Sequence, residues 1–206
     1  KGRLEASIPL PNDTIEDFAL LPDGDIAALD RLVDRTVYVV APNGAVVSTA
    51  AVQGEHVDDG GMVTAIFADE SGVWLEYYRG AQVRVMDAKG APVERVTRPG
   101  VPMTNPATGA TEFVRLRKIG DGAQILFYDQ NGVVVADGAT TFTSLLAIEG
   151  LVVRGDRVFV AGHELVEAAD LTSKPVRDAV VVVEMQRLKD RLVEVGKREV
   201  KASPEW

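Results

Sequence analysis

Thr36-Val37-Tyr38-Val39-Val40-Ala41, Pro42-Asn43-Gly44, Ala45-Val46-Val47 reads as an apolar run, a tight turn and a second apolar run. The β-branched and aromatic residues favour a pleated strand, and Asn-Gly supplies the positive φ that a two-strand turn needs. The pattern returns as Val83-Arg84-Val85-Met86-Asp87, Ala88-Lys89-Gly90, Ala91-Pro92-Val93. A third copy is Ile125-Leu126-Phe127-Tyr128-Asp129, Gln130-Asn131-Gly132, Val133-Val134-Val135, so the turn glycines stand 46 and 42 residues apart. A helix is a poor competitor, because each interior Gly would cost about 1 kcal/mol relative to Ala.

A second hairpin precedes the first in most repeats. Phe18 to Leu29 folds around Pro22-Asp23-Gly24, and Thr64 to Leu75 around Asp69-Glu70-Ser71-Gly72. Leu151 to Val160 folds around Arg154-Gly155-Asp156. Two consecutive hairpins make a four-stranded meander of about 40–50 residues, the size of one β-propeller blade. The expectation is an all-β, β-propeller-like array of about four antiparallel four-stranded blades over residues 1–200. The repeats run over 12–52, 63–97, 111–139 and 144–200, and residues 201–206 form a tail or linker. Four blades nearly use up the chain, so Leu4 to Leu10 is expected as a strand sealing the ring. The rival is a segment of a larger propeller.

Two repeats depart from the pattern. Gly122 precedes Gly132 by only ten residues, so the third unit lacks about one strand or Thr111 to Ile119 pairs differently. In the fourth, Gln186 to Arg191 replaces the Gly turn, and Met185, Leu188, Leu192 and Val195 have helical spacing. Val193, Val195, Val200 and Gly196 favour strand-turn-strand there instead.

The rhythm of residues 15 to 52 and 63 to 97, an apolar run, x-Asp-Gly-x, an apolar run, x-Asp-x-x-Gly and an apolar run, resembles the blades of NHL, YWTD and gluconolactonase-like propellers. That resemblance implies a binding face made by the loops between blades and between the second and third strands of each blade. It places Gln53 to Met62, Arg98 to Ala110, Ala139 to Thr143, Asp30 to Arg35, Tyr78 to Ala81 and Gly162 to Arg177 on one side. Gluconolactonase-like enzymes hold a metal there, but their ligands match no residues of this chain one by one.

Both histidines fall in these loops: His56 beside Asp58 and Asp59, and His163 beside Glu164. Imidazole with neighbouring carboxylates can bind a divalent metal or act as a general base. The competing reading is that such residues simply belong in solvated loops. Asp58-Asp59-Gly60-Gly61 offers oxygen ligands to calcium but lacks EF-hand spacing, so no cofactor is assigned and calcium is the one candidate. Tyr78-Arg79 at a strand end makes a recognition edge, while alternation sends Trp74 and Glu76 to one face and Leu75 and Tyr77 to the other. Trp74 is therefore expected to pack and Tyr78 to be partly exposed.

The chain of 206 residues carries a net charge of -9, has 46% hydrophobic residues and contains no cysteine. Acidity disfavours non-specific nucleic-acid binding, which needs clustered Lys and Arg. Lack of cysteine removes disulfides, thiolate metal sites and cysteine nucleophiles. No apolar run approaches the ~20 residues of a membrane-spanning helix, and no phosphate loop, nucleophile elbow or zinc helix is present. The start at Lys1 rather than Met leans the reading toward a processed, extracytoplasmic chain. The function expected is a non-enzymatic protein-binding or scaffolding module, its partner another protein or the remainder of a larger chain. The alternative is a metal-dependent hydrolase or lactonase-like propeller enzyme.

Overall fold

One turn geometry recurs four times. In Ala41–Ala45 the N–H of Ala41 donates to the Ala45 carbonyl at 2.9 Å, and that of Gly44 to the Ala41 carbonyl at 2.8 Å. Leu21–Asp25, Asp87–Ala91 and Asp129–Val133 close with the same two bonds. The glycine at the fourth position has φ of 96° at Gly24, 85° at Gly44, 77° at Gly90 and 78° at Gly132. Only glycine enters that left-handed region without strain, and the Asp or Asn carboxyl or amide oxygen caps a following N–H, as Asn43 Oδ1 does for Ala45 at 3.0 Å.

The computed structural model describes residues 7–57, 63–77, 81–119, 122–138, 145–165, 177–189 and 191–200. Its strands fall into two compact units, Lys1–Arg98 and Pro99–Trp206. The first unit holds a sheet of β1 (Asp17–Leu20), β2 (Ile26–Asp30), β3 (Thr36–Val40) and β4 (Val46–Ala51), in that order. Its second sheet is β5 (Val63–Asp69), β6 (Gly72–Tyr77), β7 (Gln82–Met86) and β8 (Thr97–Arg98). The second unit holds β9 (Val101–Thr104), β10 (Thr111–Ile119), β11 (Gly122–Tyr128) and β12 (Val134–Gly138). Its other sheet is β13 (Leu145–Arg154), β14 (Arg157–Leu165), β15 (Arg177–Arg187) and β16 (Leu192–Val200). Every pairing joins consecutive antiparallel strands, and there is no helix among the described residues. The described chain is all-β, and each unit holds two antiparallel four-stranded sheets of propeller-blade form.

Within the first unit, one face of each sheet supplies the core: Leu29, Val37 and Val39 from the first, Val73, Leu75 and Val83 from the second. Strands β1 and β5 run side by side, and Ser48 Oγ donates to the Gly90 carbonyl at 2.6 Å across the two sheets. The second unit repeats the plan with Val114, Ile125 and Phe127 against Val158, Val181 and Met185. Alternation does this work: every second residue of a strand faces the same way, so one apolar set per sheet is enough to close the core.

Several expectations need correction. Ala91 to Val93 is not the strand paired with β7; a lone bridge joins Met86 to Pro92, and Thr97–Arg98 takes the edge. Pro92 has no N–H to extend a ladder. The third blade is not short of a strand, because Val101–Thr104 begins it and pairs with Thr111–Ile119 as its second strand. The stretch from Arg98 to Ala110 is thus partly strand rather than one loop, and so is Gly162 to Leu165 within β14. The fourth blade ends in strand, turn and strand, as expected: β15 and β16 pair from Val180 with Val200 to Arg187 with Leu192. Residues 7 to 10, within the expected sealing strand, have no strand structure, and Pro9 lies against Gly44 at the β3–β4 turn.

Candidate functional site

Of the residues expected to form a loop-face site, His56, His163 and Glu164 are among the described residues. His56 sits at the tip of a turn closed by bonds between Gly54 and Val57, with φ of 67°. It is exposed, with Nε2 3.6 Å from Glu55 Oε1, so its neighbours are a turn and solvent. Asp58, Asp59, Tyr78 and Arg79 lie outside the described residues. His163 and Glu164 are in β14, where their backbones pair with Val180 and Ala179. Among the described residues, no three His, Asp or Glu side chains gather as metal ligands would.

A polar cluster that sequence reading missed lies at the β2–β3 turn. Asn12 Nδ2 donates to Asp34 Oδ2 at 2.8 Å and to Asp30 Oδ2 at 3.3 Å, and Tyr38 Oη donates to Asp34 Oδ2 at 2.6 Å. Thr14 Oγ1 also donates to Asp30, and the Val33 N–H reaches Asp30 Oδ1 at 2.9 Å. Burial pushes the Asp30 carboxyl up, but the Thr14 hydroxyl and the N–H groups of Val33, Asp34 and Leu32 outweigh it and hold the group below the usual carboxylate range. The bond to Asp34, with burial, raises Tyr38. These bonds tie residues 12 to 14 to the turn, and with Pro9 at Gly44 they run the segment from one end of the first sheet to the other.

A second cluster covers one face of β5–β8. Arg98 lies with its guanidinium carbon 3.7 Å from the centre of the Trp74 ring, and Arg84 is 5.9 Å from the same ring. Arg98 Nε donates to Gln82 Oε1 at 2.8 Å, and its Nη1 to Asp69 Oδ2 at 2.5 Å. Trp74 Nε1 donates to Ser71 Oγ at 3.0 Å, and Ser71 N to Asp69 Oδ1 at 2.8 Å. Register explains the gathering: Trp74 is opposite Phe67 and Arg84, and Gln82 is opposite Glu76 and Arg98, so alternation puts them on one face. Burial pushes Asp69 up, while bonds from Ser71 and the Arg98 charge bring it below its ordinary value. Burial lowers Arg98 against the opposing pull of Asp69. Trp74 is buried, as alternation predicts, while Leu75 and Tyr77 join the core on the other face.

Two large apolar side chains of the first unit are exposed on β1. Asp17 and Ala19 face inward: Asp17 Oδ2 accepts the Ile66 N–H at 3.1 Å, and Ala19 packs on the core. Phe18 and Leu20 face the other way and are 59% and 64% exposed. Register continues them into two cross-strand rows, Phe18–Ala28–Tyr38–Thr49 and Leu20–Ile26–Val40–Val46. Ala28 and Val40 are fully buried in the middle strands, so the exposed apolar surface of these rows lies at the sheet's two edges, Phe18 and Leu20 on β1 and Val46 on β4. Burial raises the carboxyl of neighbouring Asp17, against bonds from the Ile66 and Phe18 N–H groups and the charge of Arg31.

No family model matches the chain, and no curated protein matches it. Among solved structures it is similar to the hydrazine synthase of Kuenenia stuttgartiensis, at 12% identity and a TM-score of 0.47 over 91% of this chain and 54% of that one. It is also similar to BamB from Moraxella catarrhalis, at 15% identity and a TM-score of 0.34 over 96% of this chain and 63% of that one. The chain therefore spans less than two thirds of the length of either protein.

Proposed function

We propose that this chain is a non-enzymatic protein-binding or scaffolding β-propeller module that engages its partner through the exposed β1 edge of its first blade. The observation that carries the reading is the Phe18 and Leu20 pair, 59% and 64% exposed on a strand whose opposite side builds the core. Two large apolar side chains held side by side on a rigid strand expose surface that a soluble fold normally covers. Burying each in an interface is worth about 1.5–3 kcal/mol. The edge of the third blade, with exposed Val134 and Val135, supports the same reading for the second unit. The kinship with NHL, YWTD and gluconolactonase-like propellers is part of this proposal and rests on the repeat rhythm.

The test is partner capture followed by native mass spectrometry, comparing the wild type with the double variant Phe18→Asp, Leu20→Asp. Both side chains are exposed, so each change should shift stability by no more than about 0.5 kcal/mol. The expected outcome is loss of the captured partner at an unchanged melting temperature. An identical set of captured proteins from the variant, or a wild-type chain that remains solitary, contradicts the proposal.

A further inference from the structure

The outward face of the first sheet is covered at its centre and bare at its edges. Ala28 and Val40 are fully buried, yet neither belongs to the core cluster that Ala27, Leu29, Val37 and Val39 join on the other face. In the same cross-strand rows, Phe18, Leu20 and Val46 are 59%, 64% and 45% exposed. A methyl as small as that of Ala28 loses all contact with solvent when other atoms lie over it, and residues 7–14 supply them.

Two anchors fix the path of that segment. Asn12 and Thr14 bond Asp30, which alternation sets on the same face as Ala28, two residues before it on β2. Asn12 also bonds Asp34, which accepts from Tyr38 Oη on that face. At the far end of β3, the Pro9 ring fills the space that a Cβ on Gly44 would need. The chain from Pro9 to Asn12 therefore runs along the strands and over the middle of the sheet. Ile8, Asn12 and Thr14 are half-buried while Pro9, Pro11 and Asp13 are exposed, as in an extended segment with one side down. Among the described residues, no backbone hydrogen bond joins residues 7–14 to the sheet; the first is from Glu16 N–H to the Leu29 carbonyl at 3.0 Å. A segment held by two polar side chains and one proline ring opens more easily than the strands below it.

We propose that the outward face of β2 and β3 is a docking groove for an extended apolar segment that carries a side-chain amide or hydroxyl for Asp30 and Asp34, and that residues 8–14 occupy it in cis. Lifting them joins Ala28 and Val40 with Phe18, Leu20 and Val46 in one apolar surface. A segment from another chain then meets what this one meets, apolar rows along its length and two carboxylates at one end. The groove stands on the burial of Ala28 and Val40, and not on capture of a partner by the Phe18 edge.

The experiment keeps the full chain and loosens the segment with Asn12→Ala, Thr14→Ala, reading methyl relaxation by a soluble paramagnetic agent. Ala28 and Val40 should be protected in the wild type and relax several-fold faster in the variant, while Leu29 and Val39 stay protected. A synthetic peptide of residues 7–14 should then restore the protection, and the same peptide with Ala at both positions should not. Asn12→Asp, which sets a further carboxylate beside Asp30 and Asp34, should expose the same two methyls. Unchanged protection of Ala28 and Val40 in both variants overturns the proposal. So does relaxation of Leu29 along with them in both, because the segment is then part of the fold rather than an occupant. A peptide that restores nothing overturns it as well. None of these readouts uses a captured partner, so the groove and the Phe18 reading fail separately.

Discussion

Each unit buries one arginine against an aromatic ring, and the two are finished differently. In the second unit Arg187 lies 4.4 Å from the Phe127 ring centre, with Nε 3.2 Å from Glu112 Oε2 and Nη1 on the Leu188 carbonyl. Glu112 also accepts from Asn105 Nδ2 at 2.7 Å, so ion, counter-ion and amide are buried and closed within the protein. In the first unit Arg98 lies nearer its ring, yet its carboxylate partner Asp69 keeps 28% of its side chain in solvent. The same chemical device is dry in one unit and half-wet in the other. Dry pairs are indispensable once formed, because removing one member strands a charge; half-wet pairs leave the survivor to water.

The largest expected effect follows from that difference. Arg187→Met strands Glu112 and should cost about 3–5 kcal/mol of stability, read from the urea midpoint. Adding Glu112→Leu should recover most of the loss, since two apolar groups then replace the pair. Additive costs for the two changes would show that no buried pair exists.

Arg98→Met should cost less, about 1–3 kcal/mol, from the lost bonds and the lost stacking on Trp74. Solvation of Asp69 is what limits the damage. A cost equal to that of Arg187→Met would mean Asp69 is as dry as Glu112 and would erase the contrast between the units.

The smallest effect is on pH. Asp69 and Asp30 in the first unit have carboxyls held below their ordinary value. A group depressed in the folded state stabilises above its unfolded pKa of about 3.9 and loses that contribution as pH falls through the folded value. Stability should therefore decline from about pH 4 downward, and Asp69→Asn should flatten the slope. A slope unchanged by Asp69→Asn would contradict this assignment.

Much of the fold was legible because it is local. Asp23-Gly24, Asn43-Gly44, Lys89-Gly90 and Asn131-Gly132 dictate their turns within five residues, and alternation placed Trp74 and Leu75 on opposite faces before any register was known. The first strand of the third blade was not legible, because Val101-Pro102-Met103-Thr104 is short and carries a proline that the edge position tolerates. The Arg98 cluster was hidden for another reason: Asp69, Trp74, Gln82 and Arg98 are spread over four strands, and only their register brings them together. Exposure of Phe18 and Leu20 was equally invisible, since an alternating strand reads the same whether one or both of its faces are covered. His56 was singled out by residue type, and its place at the tip of a turn with positive φ was not legible from that.

The most direct test is residue-resolved solvent exposure along β1, measured by NMR with a soluble paramagnetic agent at a dilution where the chain is monodisperse. Phe18 and Leu20 side chains should be strongly relaxed, while Ala19 and Leu29, one facing inward beside them and one across the sheet, stay protected. Equal protection of Phe18 and Leu29 would contradict a first blade whose β1 edge is exposed.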